Sequence, residues 1–441
     1  MSRRPWRVLA PRGRPYTVRV AVAREPEERR RRVGAALPSR LRTVVTVAAW
    51  VCAAGAVGGV LLHAVMGLPR GPRDWADGYI YLGAASDLFS HPGHIYDAAH
   101  LQVMSPGPQR AFLVPPSGML PFLLLVPLTR LAGLNPATAV WMTIDTAALF
   151  TALVLVGRRI GLDRLTLGIA LFLVALSQPV QWEVVSAQLN GVVLLLMVLS
   201  MRSFPRLGSG LLMGLALALK PTAVLVLLVP LLLRRPRVTV LALTTVVAAN
   251  LVFVPILGVS TAVYWATSVA PYMLGYVMHD PTNMSLASVV QTWLGGGALP
   301  RYGALSVGVP RGLGGIAVVW GARLCFVAAW LRVTIDRRVD AVAAMCLALA
   351  AVPIFTATVW PHYLVYVMPL ALLTLRAPQP WARAAAFLSL VAMLWPGRAD
   401  GLWIGLLLLY PAAVGALLIQ SGWRPAALRS WVGSVRMRAA G

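Results

Sequence analysis

The sequence predicts an all-α polytopic membrane protein with about twelve transmembrane helices, two extracytoplasmic loops and a juxtamembrane or re-entrant segment. Three observations lead there. The chain is 59% hydrophobic and only 12% charged, with a mean hydropathy of +0.75, whereas a soluble domain is near a quarter charged. Long apolar runs recur along most of its length. The short loops between alternate runs are basic, which is the mark of a cytoplasmic side.

Taken in order, residues 1–42 carry 13 Arg against 3 Glu. They lack the order of a signal peptide and read as a basic cytoplasmic segment lying against anionic headgroups of membrane lipids. Apolar segments follow at 43–66, 136–156, 165–182, 189–202, 207–219, 221–233, 238–258, 313–332, 340–358, 362–375, 382–396 and 401–420. With the N-terminus inside, the loops "GRRIGLDR", "MRSFPR", "RRPR" and "RVTIDRR" are all cytoplasmic, as is the basic tail 421–441. Residues 43–420 then form one membrane domain, with outer loops at about 67–135 and 259–312.

This register sets two conditions. Residues 113–135 hold four prolines and cannot be a clean span. Residues 207–219 and 221–233 must be two short helices broken at Lys220–Pro221, each 13 residues and about 20 Å long, which is short of a ~30 Å hydrocarbon core. The net charge of +25 is therefore topological, and no nucleic acid is expected as a partner. Cys52, Cys325 and Cys346 sit in apolar runs with neither disulfide nor zinc spacing.

Lys220 is the only lysine among 39 basic residues, and it stands inside a membrane segment where an ionisable group is costly. A broken helix with a cation at the joint suits an anion, and a lysine presents a compact point charge to a phosphate. The alternative is a lysine that snorkels to the surface and binds nothing.

The remaining polar residues gather in the outer loops. Asp74, Asp77, Asp87 and Asp97 are four of the 14 acidic residues, and His91, His94 and His100 are three of the six histidines. Asp74 and Asp77 share a face if helical, and a carboxylate there can serve as general base on an incoming hydroxyl. The histidines are not spaced as ligands on one helix face, so no metal is expected. Gln188 and Asn190, Asn283 and Ser285, and His362 with Trp360 and Tyr363 supply amide, hydroxyl and ring groups suited to a sugar. Taken alone, the first of these loops fits an ordinary solvated acidic surface better.

The stretches "DGYIYLGAA…IYD", "VPPSGMLPFLLLVPL", "QLNGVVLLLMVLSMR", "GLALALKPTAVLVLLVPLLLRRPR", "NMSL" and "HYLVYVMPL" resemble, in this order, glycosyltransferase family 87 of the GT-C superfamily, over roughly residues 70–375. The resemblance implies a GT-C type fold. It implies an enzyme that moves a sugar, with mannose favoured, from a polyprenyl phosphate donor to a glycolipid or polysaccharide acceptor of the cell envelope. Asp77 would be the catalytic base at the end of the first span, and Lys220 would bind the donor phosphate. His362 would assist near the acceptor. Gln188, Asn190 and Asn283 would line the sugar pocket, with Ser285, Tyr81 and Asp74 as further sugar or acceptor contacts.

The resemblance further implies inversion at the anomeric carbon, no cofactor, and an extracytoplasmic site in a bacterial plasma membrane with both termini cytoplasmic. The family also contains an arabinofuranosyltransferase using decaprenyl phosphate arabinose. One departure is Val114, which stands before Pro115–Pro116 where the family often has Tyr. The rival classes are a lipid or sugar transporter and a non-catalytic assembly partner. Against transport stand the missing internal repeat and the scarcity of acids in the spans, Asp145 and Glu183 only.

Overall fold

The computed structural model describes residues 38–68, 77–92, 95–96, 114–270, 276–278, 283–294, 305–307, 313–336, 339–356, 358–395 and 399–422. The chain divides at Val44 into two compact units. Of the first, only the opening of one helix is described. The second, from Val45 onward, holds the remaining elements.

Every apolar segment of the sequence falls on helix. In chain order the main helices are α1 (Ser39–Met66), α2 (Asp77–Asp87), α3 (Leu134–Ile160), α4 (Arg164–Leu176), α5 (Gln178–Val185), α6 (Asn190–Ser203), α7 (Leu207–Leu219), α8 (Pro236–Leu251), α9 (Leu286–Leu294), α10 (Leu313–Ile335), α11 (Ala341–Ala350), α12 (Met368–Leu375), α13 (Pro380–Ala392) and α14 (Ala399–Gln420). Among the described residues, five helical stretches are long and apolar enough to cross a membrane. A sixth is added if α4 and α5, bent by 57°, form one span. Other apolar helices are 10–17 residues long.

The helix α3 is the axis of the bundle. Half of its most apolar window is buried, against 6% for α1, so α1 lies at the margin. On one side α3 packs against α6, α6 against α7, and α7 against α8; on another, α12 and α14 hold α13. The α7–α8 approach depends on two glycines four apart. A Cβ at Gly210 would lie 2.6 Å from Val238 O, and one at Gly214 2.5 Å from Ala242 O. Small residues at this spacing let two membrane helices pack backbone to backbone.

Proline sets the other recurring feature. A residue before proline is driven out of the α region, and proline itself is at ease at the first helical position. Pro115 (ψ 157), Lys220 (φ −154, ψ 109) and Trp360 (ψ 157) are all extended, and each precedes a proline that opens a 3₁₀ segment: Pro116–Met119, Pro221–Leu227 and Pro361–Val367. The break at Lys220–Pro221 thus lies where the sequence places it. The helix beyond it differs from expectation. It is 3₁₀ over Pro221–Leu227, with a non-helical Ala223, and α only over Leu228–Leu232, so its dipole at the break is weaker than that of a continuous α-helix.

Residues 113–135 are broken, as four prolines require. The short helices Leu120–Leu123 and Val126–Ala132 follow the first 3₁₀ turn, and Ser117 Oγ donates to Ala218 O at 2.7 Å, tying that turn to the end of α7. Two departures stand out. The first described span ends at Met66, and Asp77 opens a separate helix instead of closing the span. One short two-stranded ribbon also interrupts the helices: β1 (Tyr276–Met278) pairs antiparallel with β2 (Leu305–Val307), between α8 and α10 in sequence.

Candidate functional site

The site is organised by one amide. Gln188 Nε2 donates to Asp77 Oδ2. Lys220 Nζ donates to Gln188 Oε1 at 2.9 Å, and Tyr81 OH donates to the same oxygen at 3.3 Å. An acid at the start of α2 and a cation at the end of α7 are thereby held apart by the length of an amide and its two hydrogen bonds. Asp77 is half-buried, whereas Lys220 and Gln188 are 3% and 2% exposed.

Gln188 is held by a tight turn. Trp141 Nε1 of α3 donates to Gln188 O at 2.8 Å. Ala187, one residue earlier, has φ +48°, a conformation uncommon outside glycine and asparagine. The start of α2 lies flush on this turn, with Gly78 N donating to Ser186 O at 3.2 Å. A Cβ at Gly78 would come within 2.6 Å of the Ala187 Cβ. Gly78→Ala is therefore expected to lift Asp77 away from Gln188. It should cut any activity that needs Asp77 by at least about 10-fold, given how steeply positioning errors count, with near-normal folding by circular dichroism. Unchanged activity would mean that the contact does not position Asp77.

On the other side of Lys220 lies the third 3₁₀ turn. The ammonium sits 4.3 Å from the centroid of the Tyr363 ring, a favourable cation–π placement. The Tyr363 ring meets His362 edge-on, centroids 4.7 Å apart. His362 is 4% exposed, and neither ring nitrogen has a hydrogen-bond partner among the described residues. Buried imidazole nitrogens are normally satisfied, so this pair of open positions beside the cation singles out His362.

Behind Gln188 lies a buried pair of acids. Asp145 of α3 accepts from Val192 N at 2.9 Å and from Gly191 N at 3.3 Å. Glu183 of α5 accepts from Asn190 N at 2.9 Å and from Asn190 Nδ2 at 2.7 Å. Together they take up the exposed N–H groups at the start of α6, groups that every helix must satisfy somehow. Sequence reasoning passed over this pair and weighed its members only as too few for a proton relay. A buried acid in the middle of α3 was the signal that could have found it.

The remaining sequence-predicted residues are mostly committed to the fold or lie away from the bridge. Asn190 is fully buried and engaged on both faces of its amide, with Oδ1 accepting from Tyr366 OH at 2.9 Å. Asn283 Oδ1 accepts from Val359 N at 2.9 Å and Ser285 N at 3.0 Å, and Ser285 Oγ accepts from Ser288 N at 3.2 Å, capping α9. These two residues fasten the segment before α9 to the extended residues 358–360 that lead into Pro361. Asp87 and His91 are exposed. Asp74, His94, Asp97 and His100 lie outside the described residues.

A sequence model of glycosyltransferase family 87 matches residues 112–359. The chain belongs to glycosyltransferase family 87. A family 87 chain with this many apolar helices is a membrane glycosyltransferase, and as such it takes a sugar donor and an acceptor. No curated protein and no solved structure matches it. The matched stretch of this family 87 chain includes Asp145, Glu183, Gln188, Asn190, Lys220, Asn283 and Ser285. Asp77 lies well before it and His362 just after it, so their case rests on geometry: one is bonded to Gln188, and the other is one ring away from Lys220.

Proposed function

We propose that this family 87 enzyme moves a sugar, mannose in the first instance, from a polyprenyl phosphate donor to a cell-envelope glycolipid or polysaccharide, with inversion. The reaction is placed at the outer face of a bacterial plasma membrane. In this reading the twelve apolar helices all cross, both termini are cytoplasmic, and the breaks at Lys220 and Pro361 end near the outer side. The observation that carries it is the Asp77–Gln188–Lys220 bridge. A carboxylate and an ammonium held apart in this way suit the two ends of an in-line displacement at an anomeric carbon.

The chemistry follows from those groups. The acceptor oxygen forms its bond to the anomeric carbon while the bond from that carbon to the phosphate oxygen breaks. The acceptor proton passes to the Asp77 carboxylate. The electron pair leaves with the phosphate, and its charge is met by Lys220, whose ammonium has three donors and gives one to Gln188. His362, open at both ring nitrogens, is placed to orient a sugar or acceptor hydroxyl.

The test is sugar transfer by the protein reconstituted in lipid, supplied separately with labelled polyprenyl phosphate mannose and decaprenyl phosphate arabinose, and with a cell-envelope glycolipid extract as acceptor. Transfer from the mannose donor, weakened about 100-fold by Lys220→Ala, is the expected result. Transfer from the arabinose donor alone would move the substrate assignment and leave the mechanism standing. No transfer from either donor by folded protein would sink the reading.

A further inference from the structure

The stretch Val114-Pro115-Pro116-Ser117-Gly118 holds none of the groups of the bridge, yet it is wedged against the helix that carries Lys220. Two prolines in a row remove two N–H donors and bar an ordinary helical entry. The chain makes the 3₁₀ turn Pro116–Met119 instead, and all four of its residues are buried. Tyr96 OH holds the near end of the turn, donating to Val114 O at 3.0 Å. Gly118 lets the turn lie close on α7: a Cβ there would stand 2.6 Å from Val114 Cγ2 and 3.0 Å from Leu219 O.

What the turn meets is the end of a helix. The last carbonyls of a helix lose their own partners, and Pro221 brings no N–H to replace them. Ser117 Oγ supplies one donor, to Ala218 O at 2.7 Å. Ser117 is fully buried and is itself held by Asn250, the next-to-last residue of α8. Asn250 Oδ1 accepts from Ser117 N at 3.3 Å and lies 3.0 Å from Ser117 Oγ, while Asn250 Nδ2 donates to Val246 O at 2.9 Å. Two residues past Ala218 stands Lys220, extended, with its ammonium on Gln188 Oε1 and over the Tyr363 ring. A polar residue in a membrane helix often serves only to glue two helices together. Here α7 and α8 already meet backbone to backbone at Gly210 and Gly214, and Asn250 bonds instead to the turn that caps α7 at the break.

We propose that Ser117, oriented by Asn250, is a positioning residue for Lys220. Past a proline break the helix no longer guides its own chain, so the direction in which the lysine leaves α7 has to be fixed from outside. The turn does this by holding Ala218 O and lying against Leu219 O. Any sway of the last turn of α7 would be carried along the flexible four-carbon stem to the ammonium and would loosen its contact with Gln188. That the lysine so placed meets a donor phosphate rests on the transfer reaction proposed above; that Ser117 fixes its place does not.

Lys220 is the only lysine of the chain. Expression with ¹³C,¹⁵N-lysine therefore labels that residue alone, and NMR of the full chain in nanodiscs reads its amide and its ε-carbon. Ser117→Ala removes the hydroxyl, and Asn250→Ala removes what orients it. Thr245→Val is a control on α8, taking away a hydroxyl bonded to its own helix at Leu241 O. Ser117→Ala and Asn250→Ala are each expected to move or double the Lys220 signals. Each should also weaken binding of polyprenyl phosphate, followed at the ε-carbon, by about 5-fold, the effect of one hydrogen bond. The double variant should lose no more than the larger single loss, because both act on one contact. Thr245→Val should leave the spectrum as it is. Lys220 signals that stay in place in Ser117→Ala would overturn the proposal. So would an equal displacement in Thr245→Val, since any loosening of α7 against α8 would then disturb the lysine. Signals that move in Ser117→Ala but never respond to polyprenyl phosphate would leave the positioning standing and count against Lys220 as the phosphate-binding group.

Discussion

Asp77→Asn is expected to bring sugar transfer down by about three orders of magnitude while the protein stays folded and still binds donor. The amide is the same size as the carboxylate and can keep a hydrogen bond to Gln188, so the turn at Ala187 and the start of α2 have no reason to move. What disappears is the acceptor for the hydroxyl proton, and general-base catalysis contributes about 10²–10⁴-fold. The loss should fall on kcat, with KM for donor within about 2-fold, because an interaction made only in the transition state affects both kcat and kcat/KM equally. A variant that keeps a tenth of wild-type turnover would remove Asp77 as the base and turn attention to His362, the other open group beside Lys220.

The second large effect is on stability. Asp145→Leu is expected to cost about 3 kcal/mol, the sum of two charge-assisted hydrogen bonds to Gly191 N and Val192 N. Glu183 keeps both of its hydrogen bonds from Asn190 in that variant, so the loss is confined to the Asp145 end of the cap. Asp145→Asn should lose less, because one carbonyl oxygen can still serve one of the two N–H groups while its NH₂ faces the other. Reversible unfolding in mixed detergent measures both. If Asp145→Leu unfolds at the wild-type midpoint, Asp145 does not hold the start of α6.

Much of the architecture was legible in the chain because proline and charge act locally. Pro221 forces Lys220 into an extended conformation whatever surrounds it, so the break could be placed to the residue. The four prolines of 113–135 likewise excluded a clean span. The 3₁₀ character after Lys220 was not legible, because 3₁₀ and α turns share the same apolar pattern and differ by how neighbours press on them. In the site, Lys220 and Asp77 stood out by scarcity and position. Their connection through Gln188 did not, since it depends on α2, α3 and α7 meeting across more than a hundred residues of sequence. Asn283 and Ser285 have a structural role that was not legible in the sequence. Polar side chains in an outer loop suggested sugar contacts, and the chain uses them to tie its own backbone. The acid pair went unread because its meaning lies in what it caps, the start of α6.

The depth at which Lys220, Gln188 and His362 are packed has a kinetic consequence. A sugar attached to a lipid cannot reach groups that are 2–4% exposed unless helices part, and helix motions of that kind run on the microsecond-to-millisecond scale or slower. Breathing of the bundle would then limit the turnover number, with proton transfer to Asp77 hidden behind it. Such an enzyme should show little solvent deuterium isotope effect on kcat. It should slow when the surrounding acyl chains are made stiffer, even though those chains take no part in the bond that is made.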